Sequence, residues 1–165
     1  MINGDLARGI RLVVLDVDGV LTDGRLWYGP DGETLKAFNV RDGHGIKSLV
    51  AAGVGVAVIS GRRSAAVTAR MRELGVADVA QGVGDKARAL AELLKRNAVD
   101  PRRVACLVDD TPDLGLMSAV GMPAAVADAH PDVLAAAKHV TRAAGGHGAV
   151  REFCDFLLAA RSAAR

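Results

Sequence analysis

The sequence predicts an α/β fold built on a doubly wound, Rossmann-like and mostly parallel sheet. Three observations favour this class: apolar runs of strand length alternate with segments of helical periodicity, polar residues directly follow the strongest apolar runs, and 165 residues suit one domain. Crossover helices are required between parallel neighbours at this spacing. Because ligands bind such sheets outside the carboxyl ends of the strands, functional residues are expected there.

The first elements are a buried strand and a hairpin. Residues 10–15 form a run that is apolar except for Arg11 and is followed directly by Asp16, which is typical of a strand buried on both faces. Further along, the turn signal Gly-Pro-Asp-Gly separates two β-prone segments. We therefore predict a β-hairpin flap, about residues 25–38, directly after the first strand.

The remaining elements follow from the same periodicities. Helices are predicted where apolar residues recur every third or fourth position and a glycine or proline marks an end, and strands where apolar residues run without a break. In chain order we predict a helix at 42–52, a strand at 54–59, a helix at 64–74, a strand at 78–80, a helix at 86–96, strands at 104–108 and 124–126, and helices at 131–138 and 149–160.

Composition excludes several classes of protein. Half of the residues are apolar and 24 % are charged, which excludes disordered and collagen-like chains. Apolar runs are far shorter than the roughly 20 residues of a membrane-spanning helix, and no signal peptide is recognisable, so we expect a cytoplasmic protein without membrane partners. The net charge of +2, without a block of Lys and Arg, argues against nucleic-acid binding.

Acidic residues directly follow two of the predicted strands. Asp16 and Asp18 follow the first strand, and alternate positions of an extended segment project to the same side, so their carboxylates are expected to meet. Asp109, Asp110 and Asp113 follow the strand at 104–108. Carboxylates gathered at one sheet edge are costly without a cation, and Mg²⁺ suits oxygen ligands. The alternatives are a turn cluster for the first pair and helix caps for the second group.

Two further signals concern phosphate. Ser60 and Gly61 end the strand at 54–59, where a hydroxyl and backbone N–H groups can hold a phosphate oxygen. Lys86 opens a predicted helix, and a cation aimed at the acids would stabilise the charge that develops in phosphoryl transfer. An ordinary strand-to-helix turn and a solvated lysine are the alternative interpretations.

Taken in order, these motifs resemble a known superfamily. The set DVDGVLTDG, ISGR, a helix-opening lysine and DDTPD resembles the haloacid-dehalogenase superfamily of Mg²⁺-dependent phosphotransferases. The segments GRLWYGPDGETLKAFNVRDGHGIK and TRAAGGHGAVREFCD are similar to the 3-deoxy-D-manno-octulosonate 8-phosphate (KDO 8-phosphate) phosphatase family. The sequence departs from these relatives at Val108, where many have Gly, and at His147, where some have Arg.

The resemblance implies an activity and its central residues. It implies a phosphatase that hydrolyses KDO 8-phosphate through an aspartyl-phosphate, in lipopolysaccharide precursor synthesis. Asp16 matches the nucleophile and Asp18 the general acid/base. The Mg²⁺ ligands of the family match the Asp16 carboxylate, the Asp18 backbone carbonyl and Asp109.

The resemblance also implies the supporting residues. Ser60, Gly61 and Lys86 match the phosphate-binding positions. Asp110 and Asp113 match acids that orient the ligands around the metal and Lys86.

The flap is expected to close the site. The spacing between the motifs leaves no room for a cap domain, yet phosphoryl transfer benefits from excluding water. The flap holds Trp27, Tyr28 and Phe38, three of the five aromatic residues, and exposing them would be unfavourable. The resemblance implies a homotetramer with flaps at the interface, and packing onto the flap's own domain is the alternative.

Four basic residues are candidates for substrate recognition: Lys36, Arg41, Arg62 and His147. Each suits the carboxylate of an acidic sugar, although each could instead be a solvated surface group. Arg62, directly after Ser60 and Gly61, is the best candidate of the four.

The competing functions are a phosphatase of a nonulosonate (sialic-acid-like) 9-phosphate and a phospho-accepting receiver domain. A receiver domain carries its acidic pair on the first strand and its phosphoacceptor on a later one, without a DxDG motif, which argues against that class. A nucleotide-sugar transferase is disfavoured because 165 residues leave little room for a nucleotide domain.

Overall fold

The computed structural model describes residues 2–162 and contains a six-stranded parallel sheet. The strand order β5-β4-β1-β6-β7-β8 is that of a doubly wound sheet, and β2 and β3 form a separate antiparallel hairpin. The strands are β1 (Leu12–Leu15), β2 (Trp27–Gly29), β3 (Gly32–Leu35), β4 (Gly55–Ser60), β5 (Asp78–Gln81), β6 (Val104–Val108), β7 (Met122–Ala125) and β8 (His139–Val140).

Helices flank the sheet and connect its strands. Right-handed crossovers that run outward from β1 in opposite directions place their helices on opposite faces of the sheet. The helices are α1 (Ile2–Gly9), α2 (Val40–Ala51), α3 (Ala65–Leu74), α4 (Lys86–Asn97), α5 (Leu114–Ser118), α6 (Pro131–Ala136) and α7 (Ala149–Ser162). On one side α7 packs against α1 and α2, and α2 also contacts α3. On the other side α5 packs between α4 and α6.

The predicted fold class is confirmed, and so is the hairpin between the first strand and the first predicted helix. Within residues 2–162, no cap domain interrupts the sheet. The prediction that residues 1–165 form one domain stays a prediction. No helix in the described part of the chain combines the length and the apolar character needed to cross a bilayer.

Short elements account for the differences from the predicted ones. The sequence patterns missed α1, α5 and β8, because periodicity carries little information over eight, five and two residues. The helix predicted at 131–138 ends at Ala136, since Ala137 is extended and Lys138 N donates to Pro123 O on the way into β8.

The apolar core lies around the central strands. All residues of β1 and β6 are buried, and Phe153 of α7 is one of the largest fully buried side chains. The flap differs, because Trp27, Tyr28 and Leu35 are each at least half exposed at 50 %, 64 % and 51 %. Phe38, by contrast, packs against the core.

Candidate active site

The site lies where three neighbouring strands end. β1 pairs with both β4 and β6 in parallel register, so Asp16, Ser60 and Asp109 follow or end adjacent strands at one edge. Asp16 N donates to Leu107 O, which extends the ladder to the acidic residue itself. The sheet therefore gathers residues that are far apart in sequence.

Three carboxylates meet at this edge. One oxygen from each of Asp16, Asp109 and Asp113 lies within 4.8 Å of the others. Burial, followed by the charges of Asp16 and Asp113, raises the pKa of Asp109 to about 7. Burial, followed by the charge of Asp16, raises the pKa of Asp113 to about 6. The crowding thus opposes full ionisation of the cluster.

Lys86 partly balances these charges. It is the first residue of α4 and its side chain is 8 % exposed, with Nζ 3.0 Å from Asp16 Oδ2 and 2.7 Å from Asp113 Oδ1. Burial alone would lower its pKa, but the two carboxylates raise the pKa above the ordinary value. For Asp16 the effect of burial exceeds the opposing effect of Lys86, so the pKa of Asp16 is raised. We call Asp16, Lys86, Asp109 and Asp113 the floor of the site.

The floor fits a divalent cation. Its donor atoms are carboxylate oxygens, the ligands that Mg²⁺ prefers, and the single charge of Lys86 does not balance three carboxylates. A cation there would relieve the repulsion that raises the pKa of Asp109. The residues that are present therefore match the metal that the sequence predicts.

Glycines allow the backbone to approach the floor. Gly19 has φ +87°, and a Cβ there would lie 2.0 Å from Asp109 Oδ2, so only glycine fits between the first turn and this carboxylate. A Cβ on Gly145 would lie 1.7 Å from Gly19 O. The loop before α7 therefore packs directly on the turn that carries Asp16 and Asp18.

The predicted phosphate-binding residues lie beside the floor. Ser60 is buried at the end of β4, and its Oγ accepts a hydrogen bond from Arg62 N at 3.4 Å. Gly61 follows in an exposed turn, and Val83 N donates to Ser60 O. The turn after β4 is thereby fixed to the chain that leads into Lys86.

Asp18 contacts the flap and is not one of the three clustered carboxylates. Its Oδ1 forms an ion pair with Lys36 Nζ, and its Oδ2 lies 3.9 Å from Arg62 Nε. Glu33 bridges these two cations, 3.2 Å from Lys36 Nζ and 2.9 Å from Arg62 Nη2, and Arg62 Nη2 also donates to Tyr28 Oη at 3.2 Å. The polar side of the flap thus closes over Asp18 within one chain.

The expectation that the chain from Asp16 to Asp18 is extended is wrong. The chain leaves the strand at Asp16 and turns at once, with Leu21 N and Thr22 N both donating to Val17 O. The charge of Asp18 still raises the pKa of Asp16, so the two carboxylates interact. Asp16 also contacts Lys86, and Asp18 contacts the cations of the flap.

Asp110 lies outside the cluster of carboxylates. It is exposed, and its Oδ1 accepts a hydrogen bond from Thr111 N at 2.7 Å as the cap of a short 3₁₀ turn. Its charge still contributes to the raised pKa of Asp109, so its effect on the floor is electrostatic. The helix-cap alternative describes this residue, whereas Asp113 is buried in the floor.

Arg41 and His147 make no ion pair or hydrogen bond with Asp18 or with a floor residue in the described part of the chain, and their role in recognition stays a prediction. Both are exposed and line a cleft of about 590 Å³ that also involves His139, Arg142 and Arg151. None of the floor residues lines this cleft within the described chain. Of the four basic candidates, only Lys36 and Arg62 contact Asp18.

Sequence reasoning missed Glu33 and the partner role of Tyr28. Both lie in the segment that resembles the phosphatase family, but the resemblance assigns neither of them a contact, and the pairing of Glu33 with Arg62 joins residues 29 positions apart. The available signal was an acidic residue within a flap already predicted to cover a site rich in basic residues.

The site combines three carboxylates and a lysine at the carboxyl ends of parallel strands, and sequence similarity shows which class of enzyme carries such a site. A sequence model of the haloacid dehalogenase-like hydrolases matches residues 74–153. This match includes Lys86, Asp109 and Asp113.

Relatives narrow the class to a family. The 3-deoxy-D-manno-octulosonate 8-phosphate phosphatase of Escherichia coli K12 is 49 % identical over 155 residues, which are 94 % of this chain and 82 % of the relative. The structure of the same phosphatase from Yersinia pestis is 47 % identical with a TM-score of 0.94, covering 96 % of this chain and 86 % of that one. The chain belongs to this phosphatase family of haloacid dehalogenase-like hydrolases, and it is a phosphatase.

A third relative was solved with ligands. The 3-deoxy-D-manno-octulosonate 8-phosphate phosphatase of Moraxella catarrhalis, in complex with a magnesium ion, a phosphate ion and a KDO molecule, is 38 % identical with a TM-score of 0.94. The match covers 96 % of this chain and 91 % of that one.

Proposed function

We propose that this phosphatase hydrolyses KDO 8-phosphate to KDO and inorganic phosphate, in lipopolysaccharide precursor synthesis and in the cytoplasm. The observation that carries the proposal is the pair of cations, Lys36 and Arg62, beside Asp18. Two cations next to the acid/base position suit a substrate that bears a carboxylate as well as a phosphate. The similarity to phosphatases of this substrate supports the same choice.

In the proposed reaction Asp16 is the nucleophile. Its carboxylate oxygen forms a bond to phosphorus while the ester P–O bond breaks, and Asp18 gives a proton to the leaving sugar oxygen. Asp18 then takes a proton from the water that attacks the aspartyl-phosphate, which releases inorganic phosphate and restores Asp16. The two carboxylates have different partners, Lys86 for Asp16 and the flap cations for Asp18, which suits these separate tasks.

Lys86, Ser60 and Gly61 would hold the phosphoryl group. Lys86 Nζ is within 3.0 Å of Asp16 Oδ2, so a phosphoryl group on that carboxylate would lie next to its positive charge. The Ser60 hydroxyl and the backbone N–H groups of the following turn supply hydrogen-bond donors. These residues would stabilise charge on the phosphoryl oxygens as the ester bond breaks.

We propose Mg²⁺ as the cofactor, held by the Asp16 carboxylate, the Asp18 backbone carbonyl and Asp109, with Asp113 supporting it. Mg²⁺ supplies charge neutralisation, so that an anionic nucleophile can approach an anionic phosphate. The raised pKa of Asp109, about 7, is the property that a bound cation would reverse.

The test is a comparison of substrates. Release of phosphate is measured with KDO 8-phosphate, a nonulosonate 9-phosphate and p-nitrophenyl phosphate side by side, with Mg²⁺ and with a chelator. We expect the highest kcat/KM for KDO 8-phosphate and a loss of turnover when the chelator is present. A higher kcat/KM for the nonulosonate 9-phosphate would overturn the substrate assignment.

We further propose that the protein is a homotetramer with flaps at the interface. The polar side of the flap contacts its own chain, whereas Leu26, Trp27, Tyr28 and Leu35 are 44 % to 64 % exposed. Such a cluster of apolar residues on one hairpin suits burial against other copies. Deletion of residues 26–35 should give smaller assemblies in sedimentation velocity, and an unchanged sedimentation coefficient would contradict the proposal.

A further inference from the structure

Glu33 links the flap to the turn after β4. It lies on β3, and its side chain is 12 % exposed. The carboxylate contacts Lys36 Nζ at 3.2 Å and Arg62 Nη2 at 2.9 Å. These cations come from separate parts of the chain. Glu33 joins them from the flap, and Asp18, which precedes the flap in sequence, also pairs with both.

The contact leaves one donor of Arg62 without a partner. Arg62 Nη2 is held by Glu33 and by Tyr28 Oη, but Nε is buried and has no hydrogen-bond partner among residues 2–162. This nitrogen lies 3.9 Å from Asp18 Oδ2, beyond hydrogen-bond distance. A buried N–H group without an acceptor is costly, so a ligand oxygen next to Asp18 would complete the arrangement.

Charge explains why an anion is needed at this position. Lys36 has only 1 % of its side chain exposed and lies close to Arg62 around the same carboxylates. Burial alone would raise the pKa of Glu33, but hydrogen bonds from Arg62 and Lys36 outweigh it and lower the pKa. Glu33 therefore stays ionised, and it offsets the repulsion between two flexible cationic side chains.

We propose that Glu33 is a positioning residue for substrate recognition: its carboxylate holds Lys36 and Arg62 beside Asp18 in the geometry that binds the carboxylate of an acidic sugar phosphate. This inference rests on the proposed function. Glu33 acts through the two cations and does not contact the reacting atoms.

The kinetic test compares Glu33→Gln with Glu92→Gln. Glutamine keeps the size of the side chain but removes its charge, and Glu92 is a matched control because it is 65 % exposed on α4 and pairs with Arg88. In Glu33→Gln we expect KM for KDO 8-phosphate to rise about tenfold, and KM for p-nitrophenyl phosphate and both kcat values to change by less than about twofold. Equal losses on both esters, or an unchanged or lower KM for KDO 8-phosphate, would overturn the inference.

A second measurement does not depend on the substrate. In ¹⁵N NMR spectra of the ligand-free protein, the Arg62 Nε–H signal should exchange slowly in the wild type and in Glu92→Gln, and should broaden or vanish in Glu33→Gln. An unchanged signal in Glu33→Gln would exclude the positioning role. If the wild type hydrolyses p-nitrophenyl phosphate but not KDO 8-phosphate, the proposed substrate fails, and this spectrum decides on Glu33 alone.

Discussion

The floor and the flap of this site are built on different principles. The floor consists of buried carboxylates and a lysine that are fixed by the ends of adjacent strands and by the first turn of α4. The flap is a two-stranded hairpin outside the main sheet, whose apolar residues are exposed and whose polar residues reach Asp18. We therefore expect the floor to serve the chemistry common to all phosphate esters, and the flap to select among them.

Substitution of Asp16 should have the largest effect and tests the role of the floor. Asp16→Asn removes the nucleophile while keeping the shape of the side chain, and we expect kcat to fall by about 10³-fold or more on every ester tested. The free energy of unfolding should not fall, since one of three crowded carboxylates is neutralised. Phosphate release and thermal unfolding measure the two effects, and substantial remaining activity would exclude Asp16 as the nucleophile.

Substitution of Lys86 should give the next largest loss of kcat, and the loss should be similar for every substrate. In Lys86→Met the phosphoryl group loses its cation, and we expect kcat to fall by about 10²-fold on both KDO 8-phosphate and p-nitrophenyl phosphate. Because Asp16 and Asp113 lose a buried partner, the melting temperature should also fall. A loss confined to the acidic sugar phosphate would place Lys86 in recognition instead.

Substitution of Arg62 should weaken recognition of the acidic sugar and leave the chemistry of the floor unchanged. Arg62→Ala should raise KM for KDO 8-phosphate by about 10-fold to 30-fold and change KM for p-nitrophenyl phosphate by less than about threefold. Arg88→Ala is the control, because Arg88 is an exposed arginine of α4 with 78 % of its side chain accessible. Equal effects of Arg62→Ala on both esters would count against its role in recognition.

The pH dependence of metal binding should show whether the ion binds at Asp109. The pKa of Asp109 is raised from 3.8 to about 7 in the folded protein, so the metal-free folded state binds more protons than the unfolded state and loses stability as pH rises from about 4 to 7. Mg²⁺ competes with this proton, and its affinity should fall about tenfold per pH unit below about pH 7.

Thermal unfolding with and without Mg²⁺ measures this effect. Mg²⁺ should raise the melting temperature more at pH 8 than at pH 5, and Asp109→Asn should flatten that difference. An equal increase at both pH values would show that the ion does not bind at the carboxylate with the raised pKa.

The same division explains what could be predicted from the sequence. Asp16, Asp109 and Lys86 follow strands or open a helix, and strand ends meet at one edge whatever the details of packing, so these positions were predictable. For Asp18 the position in the chain was predictable, but the turn after Asp16 and the contacts with the flap were not, because they depend on Gly19 beside Asp109 and on how the flap docks. Asp110 and Asp113 look alike in sequence, and only the 3₁₀ turn separates a cap from a buried carboxylate.

The flap residues were less accessible to sequence reasoning. The hairpin itself was predictable from its turn, but the contact of Glu33 with Arg62 depends on how the hairpin docks, and local patterns carry no information about docking. Arg41 and His147 were grouped with Arg62 by charge alone, and the structure places them in a different cleft. Charge predicts what a side chain can bind but not which site it reaches.

We propose that carboxylates from separate strands hold one divalent ion beside Asp16, which accepts the phosphoryl group. This arrangement can be seen in a crystal structure of the protein with Mg²⁺ and beryllium fluoride, a mimic of the phosphoryl group. We expect the fluoride complex on the Asp16 carboxylate, next to Lys86, and the metal bound by both Asp16 and Asp109. A fluoride complex on another aspartate, or a metal that does not contact Asp109, would contradict the claim.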